Sequence, residues 1–187
     1  MPDTQKIEIL ALQLADSAFP SGSFAHSGGI EAARNWGEVP SPESLKNYLE
    51  TVLRQAPFGT LPLIIAAYRK TDAFAEIDQL SDAVLSNHVA RRSSSVQGRA
   101  LLSTASRVFD VVAIGQLRKQ VKEQGLPAHL APVFGFLACQ MEIPLDKALQ
   151  VFLYTFLRDL VSAAIRLNII GPHAGQRLIV ELSPELA

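Results

Sequence analysis

The 187-residue chain has a single cysteine, Cys139, so no internal disulfide can staple it. It has no excess charge of either sign: 17 basic residues stand against 18 acidic ones, a net charge of −1. That balance gives no support to nucleic acid or an anionic membrane surface as a partner. The four histidines, His26, His88, His129 and His173, are scattered, and neither His-x-x-x-His nor Cys-x-x-Cys occurs. A metal site within one chain needs converging ligands, and this spacing does not supply them. His173, just after Gly171-Pro172, could meet its own copy across a two-fold axis; an ordinary, partly exposed histidine is the plainer account. Neither a Gly-x-x-x-x-Gly-Lys-Ser/Thr loop nor a Gly-x-Gly-x-x-Gly turn after a strand is present, so any nucleotide would be held by a partner. No cofactor is expected. The N-terminus, MPDTQKIEIL, lacks the basic-then-apolar layout of a signal peptide. The apolar run 149–157 is cut off by Arg158 and Asp159 before it could span a bilayer. A soluble, cytoplasmic protein is the expectation.

What the chain does have is apolar residues at helical spacing. Hydrophobic residues make up 48%, charged residues 19%, and the mean hydropathy is +0.18. Such a composition fits either a compact Ala/Leu-rich domain or surface buried against partners or a second copy. Ile7, Leu10, Leu14 and Ala18 recur at three and four residues. Ser41-Pro42 reads as an N-cap with proline at the first helical position, followed by the stripe Leu45, Tyr48, Leu49, Val52, Leu53 and Ala56. Pro57-Phe58-Gly59 ends that helix, and Tyr48 and Phe58 are assigned to the core. A mostly apolar helix over 61–70 is expected to be central. Phe74, Ile77, Leu80, Val84, Leu85 and His88 repeat the pattern. Residues 87–123 form one long helix or two, with 108–114 the best strand candidate, and Gly125-Leu126-Pro127 is a stop. Short helices follow over 131–141 and through Gln176 to Leu182, with the longest between them from Pro144 to about residue 168. No stretch shows sustained strand-like alternation. The expected fold is an all-α, single-domain bundle of roughly eight to ten helices spanning residues 1–187.

The most specific local sequence is residues 19–33, FPSGSFAHSGGIEAA, a proline- and glycine-rich junction between an apolar segment and a helix over 30–36. It brings together Pro20, Ser21, Gly22, Ser23, His26, Ser27 and Glu31. A serine hydrolase would need a strained, exposed nucleophile with base and acid in reach. The Gly-x-Ser-x-Gly elbow is missing, and turn hydroxyls ordinarily satisfy nearby backbone. A junction fixed by small polar side chains, or one read by a partner, is favoured over catalysis. Thr155, Arg158, Asp159, Ser162 and Arg166 share one face of the longest helix. Arg99, Arg158, Arg166 and Arg177 carry planar forks suited to carboxylates or carbonyls. They either pin loops internally or meet a partner. Arg91, Arg92, Arg99 and Arg107 read as a solvated basic face.

Three stretches carry a family resemblance. LQLADSAFPSGSFAHSGGIEAA (12–33) resembles the N-terminal signature of the urease accessory protein UreF family. RRSSSVQGRALL (91–102) is similar to that family's central Gln-Gly-Arg segment. Residues 129–182, around SAAIRLNIIGPHAGQRL, resemble its C-terminal core. The resemblance implies an all-α homodimer without catalytic activity, a chaperone of nickel insertion. Its partners would be a UreD-type protein (UreH in some species), the GTPase UreG and apo-urease. Together they deliver nickel and carbon dioxide to a carbamylated-lysine metallocentre, and nickel-cation binding belongs to the same set of implied properties. The junction, with Arg99, Arg166, His173, Gln176 and Arg177, would form partner-binding surface. The family usually continues past the Gly-Gln-Arg segment into a basic and aromatic tail, whereas this chain stops at Ala187; the expectation is a truncated chain or a short member. A helical adaptor unrelated to urease is the alternative.

Overall fold

The computed structural model describes residues 4–20 and 27–186, the side chain of residue 186 excepted. Among these residues there are ten α-helices and no strand, in keeping with the all-α expectation. In chain order they are α1 Thr4–Ala15, α2 Ile30–Asn35, α3 Pro42–Gln55, α4 Thr60–Arg69, α5 Phe74–Val84, α6 His88–Val108, α7 Val112–Gln124, α8 Leu130–Gln140, α9 Leu145–Arg166 and α10 Pro172–Leu182. Their buried residues form one contiguous hydrophobic cluster.

The centre is the pair α4 and α8, with α6 lying along the other side of α8. Residues 131–138 are all buried, so α8 has no polar face to give to solvent. The closest approach is at Gly135, where an added Cβ would overlap the backbone carbonyl of Ile64 on α4. Tyr68 of α4 closes this layer by donating its hydroxyl proton to the Ile143 carbonyl, 2.9 Å away. The longest helix, α9, is flanked by α1, α2, α3 and α10. By length and composition α9 could cross a membrane, with a mean hydropathy of 1.4, but half of that window is buried inside the protein, as for a core helix. Exposed ion pairs join its neighbours: Lys147–Glu8 at 3.0 Å to α1, and Lys46–Glu181 at 3.0 Å between α3 and α10. Pairs this exposed are screened by solvent and add little to stability.

Local chemistry explains most of the boundaries. Ser41 caps α3 in a capping box with Ser44, and Pro42 follows at the first helical position. The expected ambiguity over 87–123 resolves into two helices. Phe109 and Val111 take extended backbone angles between α6 and α7, but the strand candidate 108–114 is not one, because α7 already begins at Val112. The Phe109 ring stacks on Phe19 at a centroid distance of 6.0 Å, so this break anchors the end of the N-terminal segment.

Two core assignments are corrected. Phe58 is 88% exposed, because the 3-10 turn Ala56–Phe58 buries Ala56 and turns Pro57 and Phe58 outward. On α5, Leu80 and Val84 are exposed, and the buried stripe is Phe74, Ile77, Asp78 and Ser81. The helix is rotated to bring an aspartate inward, and the reason lies in α8.

Candidate functional site

The first turn of α8 has backbone N–H groups with no partner within the helix. The sequence before it, Gly125-Leu126-Pro127-Ala128-His129, offers no capping side chain, and His129 makes no side-chain cap. The caps come from elsewhere. Asp78 of α5, fully buried, accepts from Ala128 N–H and His129 N–H through its two oxygens, both at 2.7 Å. Ser94 of α6 accepts from Leu130 N–H at 3.2 Å. Ser95 donates to the Pro127 carbonyl at 2.5 Å. Arg99 donates from Nε to the same carbonyl at 3.1 Å and from Nη2 to Leu126 at 3.2 Å. Gly98 sits between them, where a Cβ would overlap the Ala128 carbonyl and crowd the His129 and Leu130 backbone. The segment SSSVQGR is thus a helix face cut to receive the loop into α8, and Arg99 pins that loop.

Burial pushes the Asp78 carboxyl above the usual aspartate range, against the opposing pull of the two N–H groups it accepts from. His129 is buried beside it; its Nε2 lies 3.1 Å from Asp82, and its Nδ1 has no partner among the described residues. Sequence reasoning missed this Asp78–His129 node. The available signal was the spacing of Phe74, Ile77, Asp78 and Ser81, which fits one helix face as well as the stripe through Leu80 and Val84 does.

A cleft of about 100 Å³ opens among α6, α8 and α9, beside the end of the junction at Gly28. Its apolar wall includes Phe134 and Phe152, packed edge-to-face at 5.2 Å, and Phe156, stacked on Phe152 at 6.4 Å. Its polar groups are Gln97, Thr155, Arg158 and Asp159. Gln97 donates to Ser93 Oγ at 2.8 Å. Arg158 donates to Asp159 Oδ1 from Nε at 3.1 Å and Nη2 at 2.7 Å, and its Nη1 reaches the Ala15 carbonyl at the end of α1. This half-buried pair locks α1 to α9 and leaves the cleft with a neutral polar rim. Nothing in this arrangement pairs a nucleophile with a base.

The sequence-predicted residues are placed in four groups. Ser21, Gly22, Ser23 and His26 lie outside the described residues. Pro20 is exposed, and its carbonyl accepts from Thr104 of α6 at 2.9 Å. Ser27 is half-buried beside Gly28, whose carbonyl accepts from the Tyr48 hydroxyl at 3.3 Å; Glu31 is exposed in the first turn of α2. His173, Gln176 and Arg177 lie together on one exposed face of α10, and Arg166 is exposed in the last turn of α9. Arg99 is on the far side of α6 from the cleft. Among the described residues no group of three or more His, Cys, Asp or Glu side chains could hold a metal ion.

Comparison with known proteins finds matches over most of the chain. The family model UreF matches residues 39–183. Urease accessory protein F of rice (Oryza sativa subsp. indica) is 36% identical over 170 residues, covering 89% of this chain and 65% of the relative. Urease accessory protein F of Arabidopsis thaliana is 35% identical over 164 residues, 86% of this chain and 68% of the relative. Urease accessory protein UreF of Arthrobacter sp. is 32% identical over 179 residues, 95% of this chain and 80% of the relative. The chain therefore spans just under two thirds of the rice relative's length. With a family model matched over most of its residues, the chain belongs to the UreF family.

Proposed function

We propose that this chain is a urease maturation factor that works by protein–protein contact and not by catalysis. The observation that carries this is the similarity to proteins named urease accessory protein over nearly the whole chain. In this role the chain is one domain and forms a cytoplasmic homodimer. It joins a UreD-type (UreH-type) protein and the GTPase UreG to apo-urease, and it regulates GTP-dependent nickel insertion, nickel being cargo. The physical support is a helical body with exposed polar faces and large apolar side chains in solvent, Trp36 at 83% and Val180 at 71% exposure among them. The junction around Pro20, Ser27 and Glu31, together with Ser21, Gly22, Ser23 and His26, is one partner surface. Arg166, His173, Gln176 and Arg177 form a second, and Arg99, besides pinning its loop, borders a third.

Size-exclusion chromatography with light scattering tests this on the chain alone and mixed with UreD-type and UreG-type proteins. The expected result is a dimer that shifts to a ternary complex. The double variant His173→Ala/Arg177→Ala is expected to keep the dimer but weaken the complex by about tenfold. A dimer that ignores both partners at micromolar concentration overturns the scaffold role.

A further inference from the structure

The side of α6 facing away from the cleft meets α7 in an open groove of about 340 Å³. Its walls carry three cations, Arg99 from α6 and Arg118 and Lys122 from α7, over a floor that includes Leu102, Val121 and Leu126. The cleft among α6, α8 and α9 carries one cation, Arg158, already paired with Asp159, whereas this groove gathers three in a chain whose net charge is −1. None of the three forms an ion pair with a described carboxylate. The acid next to Lys122, Glu123, is turned to Lys119 at 3.7 Å. The two arginines are held by neutral acceptors instead: Arg99 by the Pro127 and Leu126 carbonyls, and Arg118 by Ser106 Oγ at 3.3 Å. A carbonyl or hydroxyl orients a guanidinium without cancelling its charge. The groove is therefore positively charged, and Arg99 and Arg118 are already ordered, which lowers the entropic cost of engaging a ligand.

We propose that the α6–α7 groove docks an acidic segment of a partner protein, one presenting two carboxylates about a helical turn apart on either side of an apolar side chain. Arg118 and Lys122 stand four residues apart on α7, so their heads are spaced to meet carboxylates at the same interval, about 5–6 Å at the Cβ level. Arg99 approaches from the opposite wall, where its fork can take one carboxylate in two bonds. What distinguishes a peptide from a bare anion is the half-buried Val121, the part of the apolar floor open to a ligand side chain above the buried Leu102 and Leu126. Nucleic acid would call for a longer basic track than three cations provide.

Fluorescence anisotropy at low salt tests this with a labelled helical peptide carrying Glu at two positions four apart and Leu between them. The expected result is binding at least about tenfold tighter than to the same peptide with Gln for Glu. The double variant Arg118→Gln/Lys122→Gln, both surface positions, is expected to keep its circular dichroism and melting temperature and lose at least about tenfold. Lys46→Gln/Lys147→Gln, cations outside the groove and already paired, keeps wild-type affinity. Absence of wild-type binding, or equal binding by the Arg118/Lys122 variant, overturns the proposal. So does tripolyphosphate binding as tightly as the peptide while Leu→Ser in the peptide costs nothing, which would make the groove a general anion site. None of these outcomes depends on urease partners, so failure here is distinguishable from failure of the maturation role.

Discussion

Replacing Asp78 by alanine is expected to destabilise the fold by about 2–6 kcal/mol, because it strands two buried N–H groups at about 1–3 kcal/mol each. Those groups, on Ala128 and His129, donate to the two Asp78 oxygens at 2.7 Å, and Ala128, His129 and Asp78 are each at most 1% exposed. Against a typical domain stability of about 5–15 kcal/mol, a loss of this size leaves a marginal protein. Asp78→Asn serves as the informative comparison. Its amide offers one oxygen where two are needed and points an N–H at the second donor, so it should recover only part of the loss. The two variants also differ from wild type in pH dependence. Burial raises the Asp78 pKa in the folded state above its unfolded value. Its contribution is therefore fully present below the ordinary aspartate pKa and declines as pH rises through the raised folded value. Chemical denaturation of wild type and Asp78→Asn across that acidic range checks the sign. The difference in stability between them should shrink as pH rises, and a constant difference would show that the Asp78 pKa is the same in the folded and unfolded states.

The second large effect is at Gly98. Alanine there places a Cβ against backbone atoms of Ala128, His129 and Leu130, none of which can swing aside as a side-chain tip would. Overpacking of this kind costs about 1–3 kcal/mol. Here the separation of α6 from the α8 N-terminus would also lengthen the Ser94, Ser95 and Arg99 hydrogen bonds at once. The expected total is about 2.5–7.5 kcal/mol, a combination of that packing cost with losses of about 0.5–1.5 kcal/mol for each of the three weakened bonds. Thermal melts of Gly98→Ala and, as a control, Gly115→Ala separate this from a generic glycine effect. A Cβ on Gly115 meets nothing within 4 Å, so that substitution should be neutral or slightly stabilising.

How far the sequence revealed these features depends on how local their causes are. The start of α3 was legible because Ser41, Pro42 and Ser44 carry the whole cap within four residues. The stop at Gly125 was legible for the same reason, whereas α10 starts at Pro172, ahead of the Gln176–Leu182 stretch expected to be helical. The stripe on α5 was misassigned because Leu80 and Val84 match a helical period as well as Asp78 and Ser81 do. What decides between them is a pair of amides fifty and fifty-one residues further along the chain. Arg99 could be read as loop-pinning or partner-facing, and its carbonyl contacts place it on the pinning side while leaving it on a groove wall. Phe58, expected to pack in the core, is faced outward by a 3-10 turn that leaves no mark in hydrophobic spacing.

The borrowed capping of α8 also bears on how the chain folds. A helix that supplies its own N-cap can flicker into existence alone, but α8 has neither a capping side chain nor a polar face. Its first turn is completed only when α5 and α6 have delivered Asp78 and Ser94. Its formation is thus tied to contacts of long sequence separation, whose loop closure slows the search for the native state. Once formed, the same dependence makes the centre cooperative, because α8 has little reason to open while its neighbours hold, and none to persist after they leave. Amide hydrogens of α4 and α8 are expected to exchange together and only through global unfolding, while those of α2 and α10 exchange earlier.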